Sequence, residues 1–284
     1  MEEPMDRHTT FRVGGPAECF ITVDTKEQLV RVLSYLQKTE WDFFLLGNGS
    51  NLLVGDKGYR GVIIQLGEQF REVITDGKRL YAGAGAVLGT AARAALDAGL
   101  TGMEFASGIP GTLGGAVRMN AGAYGGEMAQ IVESVEVMGM DGEILTLDNE
   151  TMEFGYRTSA IKNRPYVVLG AVIKLEAGEK EEIASRMQEL AGRRREKQPL
   201  EFASAGSTFK RPEGHYAGKL IMEAGLRGKS LGGAQISEKH CGFIVNKGNA
   251  TAADVAQLIR ETIETVQDKF GVTLEPEVIF LGDF

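Results

Sequence analysis

Gly102-Met103-Glu104-Phe105-Ala106-Ser107-Gly108-Ile109-Pro110-Gly111-Thr112-Leu113-Gly114-Gly115-Ala116 is the stretch on which the reading of this chain turns. It places five glycines and a proline between an Ala-rich helical segment and the run Asn120-Ala121-Gly122-Ala123-Tyr124-Gly125. Glycine at that density marks backbone that must come very close to something, because a Cβ would block the approach. A second such stretch lies upstream, at Leu46-Gly47-Asn48-Gly49-Ser50-Asn51. Two glycine-rich turns point to one extended ligand held at two places, and a dinucleotide with a central pyrophosphate fits.

Composition bounds the possibilities. The 284 residues suffice for a large core and about two domains. The 38 glycines stand out, at roughly twice ordinary usage, and they follow no collagen period. A net charge of −8 argues against a nucleic-acid partner, so an anionic ligand requires a local basic pocket. Cys19 and Cys241 match no metal or redox spacing, and both are expected to be reduced packing residues. The start of the chain lacks a basic and apolar signal, and no apolar run reaches the roughly 20 residues of a membrane span. The expectation is a cytoplasmic protein with no membrane partner. It is expected to be a monomer by default, since no interface stripe is evident.

Along the chain, Thr25-Lys26-Glu27-Gln28 reads as a capping box opening a helix with Leu29, Val32, Leu33 and Leu36 on one face. Phe43 to Leu46 is strand-like and feeds the first glycine turn, and Val62 to Ile64 is a buried-strand candidate. Asp76-Gly77 and Asp141-Gly142 predict two hairpins, the first leading into Arg79–Ala82, the second joining Val132–Met138 to Ile144–Leu147. A helix from about Leu88 to Ala98 ends at Gly99, and Tyr166 to Leu175 is a strong strand. A charged helix from about Lys180 to Lys197 halts before Pro199 and bridges two domains. Beyond it come strands at 207–210, 233–236, 243–246 and 277–281 and a helix near 216–224. A last helix is capped by Thr251, carries Val255, Leu258, Ile259, Thr262, Val266 and Phe270 on one face, and is closed by Gly271. The order is mixed, an α+β pattern.

Several groups could carry chemistry. In Gly47-Asn48-Gly49-Ser50-Asn51 the backbone N–H groups can form an anion nest, with Ser50 and Asn51 adding side-chain donors. The pattern is neither G-x-G-x-x-G opening a helix nor a Walker loop. Ser107-Gly108-Ile109-Pro110-Gly111-Thr112, with Gly114, Gly115 and Ala116, reads as a backbone platform for a flat ring, Ile109 and Leu113 covering an apolar face. Arg157, beside Tyr156 and followed by two hydroxyl residues, suits a carboxylate or developing oxyanion, although most arginines are merely solvated. Ser207 is not a nucleophile elbow, since Phe209 stands where that motif has glycine, so it suits proton donation or binding better than acylation. Glu275 and Glu277 are not separable on physical grounds alone. Arg193-Arg194-Arg195 with Lys197 either complements a helix C-terminus or grips a diphosphate. His8, His215 and His240 have no ligand spacing, so no metal is expected.

Taken in order, these motifs resemble the UDP-N-acetylenolpyruvoylglucosamine reductase family over nearly the whole length. The resemblance rests on His8-Thr9-Thr10-Phe11-Arg12-Val13-Gly14-Gly15-Pro16-Ala17, the two glycine loops, Asn120 to Gly125, Tyr156-Arg157, Ser204-Ala205-Gly206-Ser207 and Leu274-Glu275-Pro276-Glu277-Val278. It implies a vanillyl-alcohol-oxidase-type FAD fold in two lobes, 1–66 and 67–178, and an α+β substrate domain with its bridging helix over 179–284. It implies FAD held by Gly47 to Asn51, by Ser107 to Thr112, by Gly114 to Ala116, and by Asn120 and Gly122. NADPH is the implied co-substrate. The implied reaction reduces the enolpyruvyl group of a sugar nucleotide, with Ser207 as proton donor and Arg157 and Glu277 stabilising an enolate. Tyr156, Arg193, Lys197 and Lys210 are the implied substrate contacts. The family has arginine two positions after the glutamate, where this chain has Ile279, and this chain lacks the inserted loop with a substrate-clamping tyrosine. The competing expectations are another FAD oxidoreductase of the same fold, acting on a sugar or hydroxy acid, and a non-catalytic FAD-binding module.

Overall fold

A computed structural model of the chain describes residues 2–284. By contacts the chain forms two compact units. The central unit comprises Ile21–Gly47 and Ile63–Arg194; the terminal unit comprises the chain up to Phe20, Asn48–Val62 and Arg195–Phe284. This differs from three consecutive segments, because pairing within the terminal unit ties its early and late stretches to one another.

The central unit opens with α1 (Lys26–Thr39), which buries Leu29, Leu33 and Leu36. Thr25 Oγ1 accepts the Gln28 N–H at 3.2 Å, as the sequence predicts. The return arm falls one residue early, Gln28 Oε1 accepting from Asp24 N–H at 2.8 Å, so the capping box is incomplete. The core sheet is five-stranded, in the order Ile144–Asp148, Val132–Gly139, Tyr166–Lys174, Arg79–Gly83, Val73–Asp76. All its pairings are antiparallel, and both predicted hairpins are present. One face buries Val135, Val137, Ala171, Ile173 and Leu80 together with α2 (Leu88–Asp97). Ala91, Ala92 and Ala95 on α2 and Ala82 and Ala84 below belong to that same cluster, and small side chains permit close helix–sheet packing. α3 (Leu113–Met119) springs from the second glycine loop, and α4 (Lys180–Lys197) is the predicted charged helix.

The terminal unit contains α5 (Ala217–Glu223) and α6 (Ala252–Phe270), packed with a three-stranded antiparallel sheet of Ser230–Leu231, Ala234–Ile236 and Ile244–Asn246. α6 has a full capping box between Thr251 and Asp254, and its first N–H groups carry a second cap from far away. Both oxygens of Asp56 accept there, from Ala252 at 2.7 Å and Ala253 at 2.9 Å, a charge-assisted arrangement at the positive end of the helix. Val255, Leu258, Ile259, Thr262 and Val266 are buried as predicted; Phe270, expected on that face, is 39% exposed. The expected strand at 207–210 is a single antiparallel bridge, Phe209 to Pro276. The last strand begins at Ile279 and pairs in parallel with Leu52–Val54, a long-range pairing without a sequence signature.

Four glycines form a bare-backbone junction in this unit. A Cβ on Gly15 would lie 2.1 Å from Asp56 O, on Gly55 2.3 Å from Asp283 O, on Gly58 1.8 Å from Pro16 O and on Gly282 2.1 Å from Gly58 O. The Gly15 N–H donates to Gly55 O and the Gly55 N–H to Leu281 O, both at 2.9 Å.

His240 sits in the turn that supports the Ser207 segment. Its Nδ1 accepts the Gly242 N–H at 3.1 Å, and the Gly242 carbonyl in turn accepts the Thr208 N–H at 2.8 Å. Burial holds its pKa below the usual histidine value. The unfolded chain therefore takes up the proton first. Stability is unaffected well above about pH 6.5 and falls as pH drops through that value, by at most about 1.4 kcal/mol per pH unit. Urea midpoints between pH 7.5 and 5.5 should decline for the wild type. Asn at this position offers an acceptor that does not titrate, so Asn substitution (His240→Asn) should give a shallower decline; parallel curves would refute the assignment.

Candidate active site

Within the central unit Gly47 meets the second glycine loop. A Cβ on Gly47 would stand 2.6 Å from Thr112 Oγ1, and on Gly114 3.0 Å from the Ala84 Cβ. The loop's backbone donors are largely committed to the protein itself. Leu113 N–H donates to Ala86 O and Gly114 N–H to Ala84 O, each at 2.8 Å; Ile109 N–H donates to Ala106 O at 3.1 Å and Gly111 N–H to Ile109 O at 3.0 Å. Leu113 is fully buried in the core, so it cannot cover a ring, contrary to expectation. What remains open is bare Cα surface. Gly108 and Gly115 are exposed, and a Cβ on Gly115 would meet nothing nearer than 3.7 Å. Ahead of the loop, Glu104 accepts from the Thr101 hydroxyl at 2.6 Å and the Gly102 N–H at 2.8 Å, and Ser107 Oγ donates to Glu104 O at 2.7 Å.

The basic cluster at the end of α4 divides by helical phase. Arg193 forms an i,i+4 ion pair with Glu189 and is half-exposed, and Lys197 is exposed. The guanidinium of Arg194 instead reaches the second loop, its Nη1 lying 3.3 Å from where a Gly108 Cβ would stand. Burial pulls the Arg194 pKa down, opposed by Tyr124; as an arginine this is a partly desolvated cation beside bare backbone. Arg193 is the residue expected from the sequence to touch substrate; Arg194 is the one that continues the Ile183, Met187, Leu190 stripe.

Arg157 lies at the tip of a two-residue hairpin. Gly155 and Thr158 exchange both backbone hydrogen bonds, at 3.1 and 3.3 Å, and Arg157 itself has φ +55°. Its Nη2 donates to Gly122 O at 3.4 Å, and its guanidinium sits 5.3 Å from the ring centre of Tyr156, which is 55% exposed. Asn120, expected to touch cofactor, is buried and its amide bonds to protein on both sides: Nδ2 donates to Gly155 O at 3.0 Å and Oδ1 accepts the Ala129 N–H at 2.9 Å.

In the terminal unit, Ser207 and Glu277 stand on neighbouring antiparallel stretches. Glu277 N–H donates to Thr208 O at 2.8 Å, Lys210 N–H to Glu275 O at 2.9 Å. Thr208 is buried, and its Oγ1 accepts the Ile244 N–H at 3.1 Å, while Ser207 is exposed. The first glycine loop is stitched to the same place, since Asn51 Nδ2 donates to Glu277 O at 3.0 Å and Ile279 N–H to Asn51 O at 3.0 Å. Asn51 is thus at least half committed to the protein rather than to a pyrophosphate. Lys210 forms an ion pair with Glu275 at 2.7 Å, and the Glu277 backbone is held against Thr208 and Asn51. Beside Gly49, whose carbonyl accepts the Thr10 N–H at 3.2 Å, the Thr10 hydroxyl is buried without a partner among the described residues. A buried orphan hydroxyl is a group that a bound cofactor would partner, so this segment fits one; the sequence gives Thr10 no such signal.

Gly49 and Gly115 separate the two uses of glycine. Gly49 has φ +58°, and a Cβ would lie 2.0 Å from His8 O. Gly49→Ala should lower the unfolding free energy by at least about 2 kcal/mol. Gly115→Ala, in the first turn of α3, should be neutral or stabilise by up to about 1 kcal/mol. Urea unfolding of cofactor-stripped protein checks both, and similar losses would remove the distinction.

Comparison with known proteins matches this geometry. The C-terminal domain profile of UDP-N-acetylenolpyruvoylglucosamine reductases fits residues 198–281, and an FAD-binding domain profile fits residues 17–148. The UDP-N-acetylenolpyruvoylglucosamine reductases of Caldanaerobacter subterraneus subsp. tengcongensis and Clostridioides difficile are each 53% identical over 283 residues, covering 100% of this chain and 93% of the relative. The crystal structure of the Thermus caldophilus enzyme of that name superposes with a TM-score of 0.87 at 41% identity, covering 99% of this chain and 98% of that one. The loops, the Arg157 hairpin and the Thr208–Glu277 stretch therefore sit in a fold and a sequence similar from end to end, and the chain belongs to the UDP-N-acetylenolpyruvoylglucosamine reductase family.

Proposed function

We propose that this protein reduces the enolpyruvyl group of UDP-N-acetylglucosamine-enolpyruvate to give UDP-N-acetylmuramate for peptidoglycan synthesis, with FAD as cofactor and NADPH as electron source. The observation that carries the reading is the backbone pairing of Glu277 with Thr208, the residue after Ser207, with Asn51 of the first glycine loop bonded to the same Glu277 backbone. A non-catalytic FAD module needs the glycine loops but no such pairing.

Thr10, the backbone of Gly47 to Asn51, and the open faces of Gly108 and Gly115 would hold the cofactor. Ser107, Ile109 to Thr112, Gly114, Ala116 and Gly122 complete the two loops, many of them through backbone bonds that fix loop shape. When bound, FAD supplies the hydride that reaches C3 of the substrate. The chain's own residues then manage the charge left behind. Arg157 stabilises the enolate through its fixed guanidinium, and Glu277 contributes a hydrogen bond as donor only while protonated. Ser207 delivers a proton to C2. A serine hydroxyl is a very weak acid, so it can protonate only a strongly basic carbon, and the stabilisation by Arg157 must stop short of removing that basicity. Exposure of Ser207 lets its oxygen recover a proton from water. Arg194 is a stronger candidate than Arg193 for the cation that meets the ligand's anionic groups, while Tyr156, Lys197 and Lys210 remain candidates for the sugar nucleotide. The protein is proposed to act as a monomer. Among the described residues no helix is long and apolar enough to cross a membrane.

Ser207→Ala tests the assignment. NADPH should still bleach the flavin bands, but under anaerobic conditions the enolpyruvyl sugar nucleotide should restore them 10²–10⁴-fold more slowly than in the wild type. Recovery at the wild-type rate would remove Ser207 from the chemistry. In the wild-type protein, recovery only with oxygen would indicate an oxidase of the same fold, and no bleaching at all a binding module.

A further inference from the structure

Left-handed backbone outside glycine is concentrated in one place. Of the seven described non-glycine residues with positive φ, four lie in two short segments: Asn120 and Tyr124, at +43° and +55°, and Glu153 and Arg157, at +46° and +55°. Such conformations persist in non-glycine residues only where the surroundings enforce them, and they cluster where geometry is used. Here the enforcing contacts are visible. Asn120 Nδ2 donates to Gly155 O at 3.0 Å, and Gly155 is the residue whose exchange with Thr158 closes the hairpin carrying Tyr156 and Arg157. The other end of the same amide accepts the Ala129 N–H at 2.9 Å, anchoring it to the following turn. A second strut runs alongside, Ser159 Oγ donating to Arg118 O at 2.9 Å, with Arg118 Nη1 returning to Ile161 O at 3.2 Å.

We infer that Asn120 is a positioning residue for Arg157 rather than a cofactor contact: its buried amide fixes the base of the hairpin from whose tip the arginine is presented. Both ends of the side chain are occupied by protein backbone, and the side chain is 99% hidden, at 1% exposure. Asparagine suits the position twice over. It tolerates the left-handed region better than other non-glycine residues, and it supplies a donor for a carbonyl and an acceptor for an N–H from one rigid planar group. Arg157 Nη2 also donates to Gly122 O at 3.4 Å, next to the segment that Asn120 opens. This inference rests on the reading of Arg157 as the enolate-stabilising cation.

Asn120→Asp is the informative variant. It keeps the left-handed tolerance and the acceptor toward Ala129, but sets a carboxylate oxygen against the Gly155 carbonyl. FAD-loaded protein is reduced with dithionite and mixed anaerobically with the enolpyruvyl sugar nucleotide, and flavin reoxidation is followed by stopped flow. Asn120→Asp should retain FAD and slow reoxidation about 10- to 100-fold, as expected when a catalytic group is displaced by about an ångström. The double variant with Arg157→Ala should be no slower than Arg157→Ala alone, because both changes remove one function. Wild-type reoxidation in Asn120→Asp, or losses that multiply in the double variant, would overturn the inference. So would loss of FAD from Asn120→Asp when Arg157→Ala retains it, since Asn120 would then be a cofactor contact. Arg157→Ala reoxidising at the wild-type rate would refute the role of Arg157 itself, and the inference with it. If Asn120→Asp does not fold, Asn120→Gly, which keeps the backbone conformation and loses both bonds, enters the same cycle with the same outcomes.

Discussion

Backbone approaching backbone more closely than any side chain permits is the constraint on which this structure depends. In the terminal unit, Gly15, Gly55, Gly58 and Gly282 bring three distant stretches into direct main-chain contact, where a Cβ would lie within 2.3 Å of an oxygen in every case. That junction lets Leu52–Val54 pair in parallel with Ile279–Leu281, and the pairing places Asn51 where its amide reaches the Glu277 carbonyl. In the central unit the same device brings Gly47 against Thr112 and Gly114 against Ala84. The position of Glu277 thus follows from packing that begins some distance away in the sequence.

The premise that dense glycine means close approach holds throughout, but the object approached is mostly the protein. Gly47, Gly49 and Gly114 face other loops, and the N–H groups of Leu113 and Gly114 are spent on Ala86 and Ala84. Only exposed positions such as Gly108 and Gly115 present bare surface outward. Nothing in a glycine's own sequence neighbourhood says which partner it meets, because the partner is non-local. Local features were legible for the opposite reason. The Thr251–Asp254 box, the Gly271 closure, the Asp76-Gly77 and Asp141-Gly142 hairpins and the amphipathic stripes of α1 and α6 are decided within a few residues of chain.

Charge was legible only when combined with helical phase. Arg193, Arg194 and Arg195 look alike as a run, yet successive residues on a helix point about 100° apart. Arg193 reaches back to Glu189, a solvated pair of small energetic consequence, whereas Arg194 lies on the stripe of Ile183, Met187 and Leu190 and turns inward. In a chain of net charge −8, one partly desolvated guanidinium beside an exposed glycine weighs more than the total suggests.

Strain distinguishes the Arg157 hairpin from an ordinary turn. A two-residue hairpin loop favours positive φ, which asparagine or glycine supplies at least cost. Tyr156-Arg157 supplies it with Arg157 at +55°, a conformation costing about 1–2 kcal/mol outside glycine. Glycine would relieve the strain but would remove the guanidinium, so the side chain required and the backbone required are in conflict at this one position. The conflict is resolved outside the hairpin, where Asn120 and Ser159 tie its base to α3 and to the turn after it. Selection for folding alone would favour an Asn-Gly tip and no buried amide beneath it. That both departures occur together is the physical argument that this hairpin is shaped to present the Arg157 side chain.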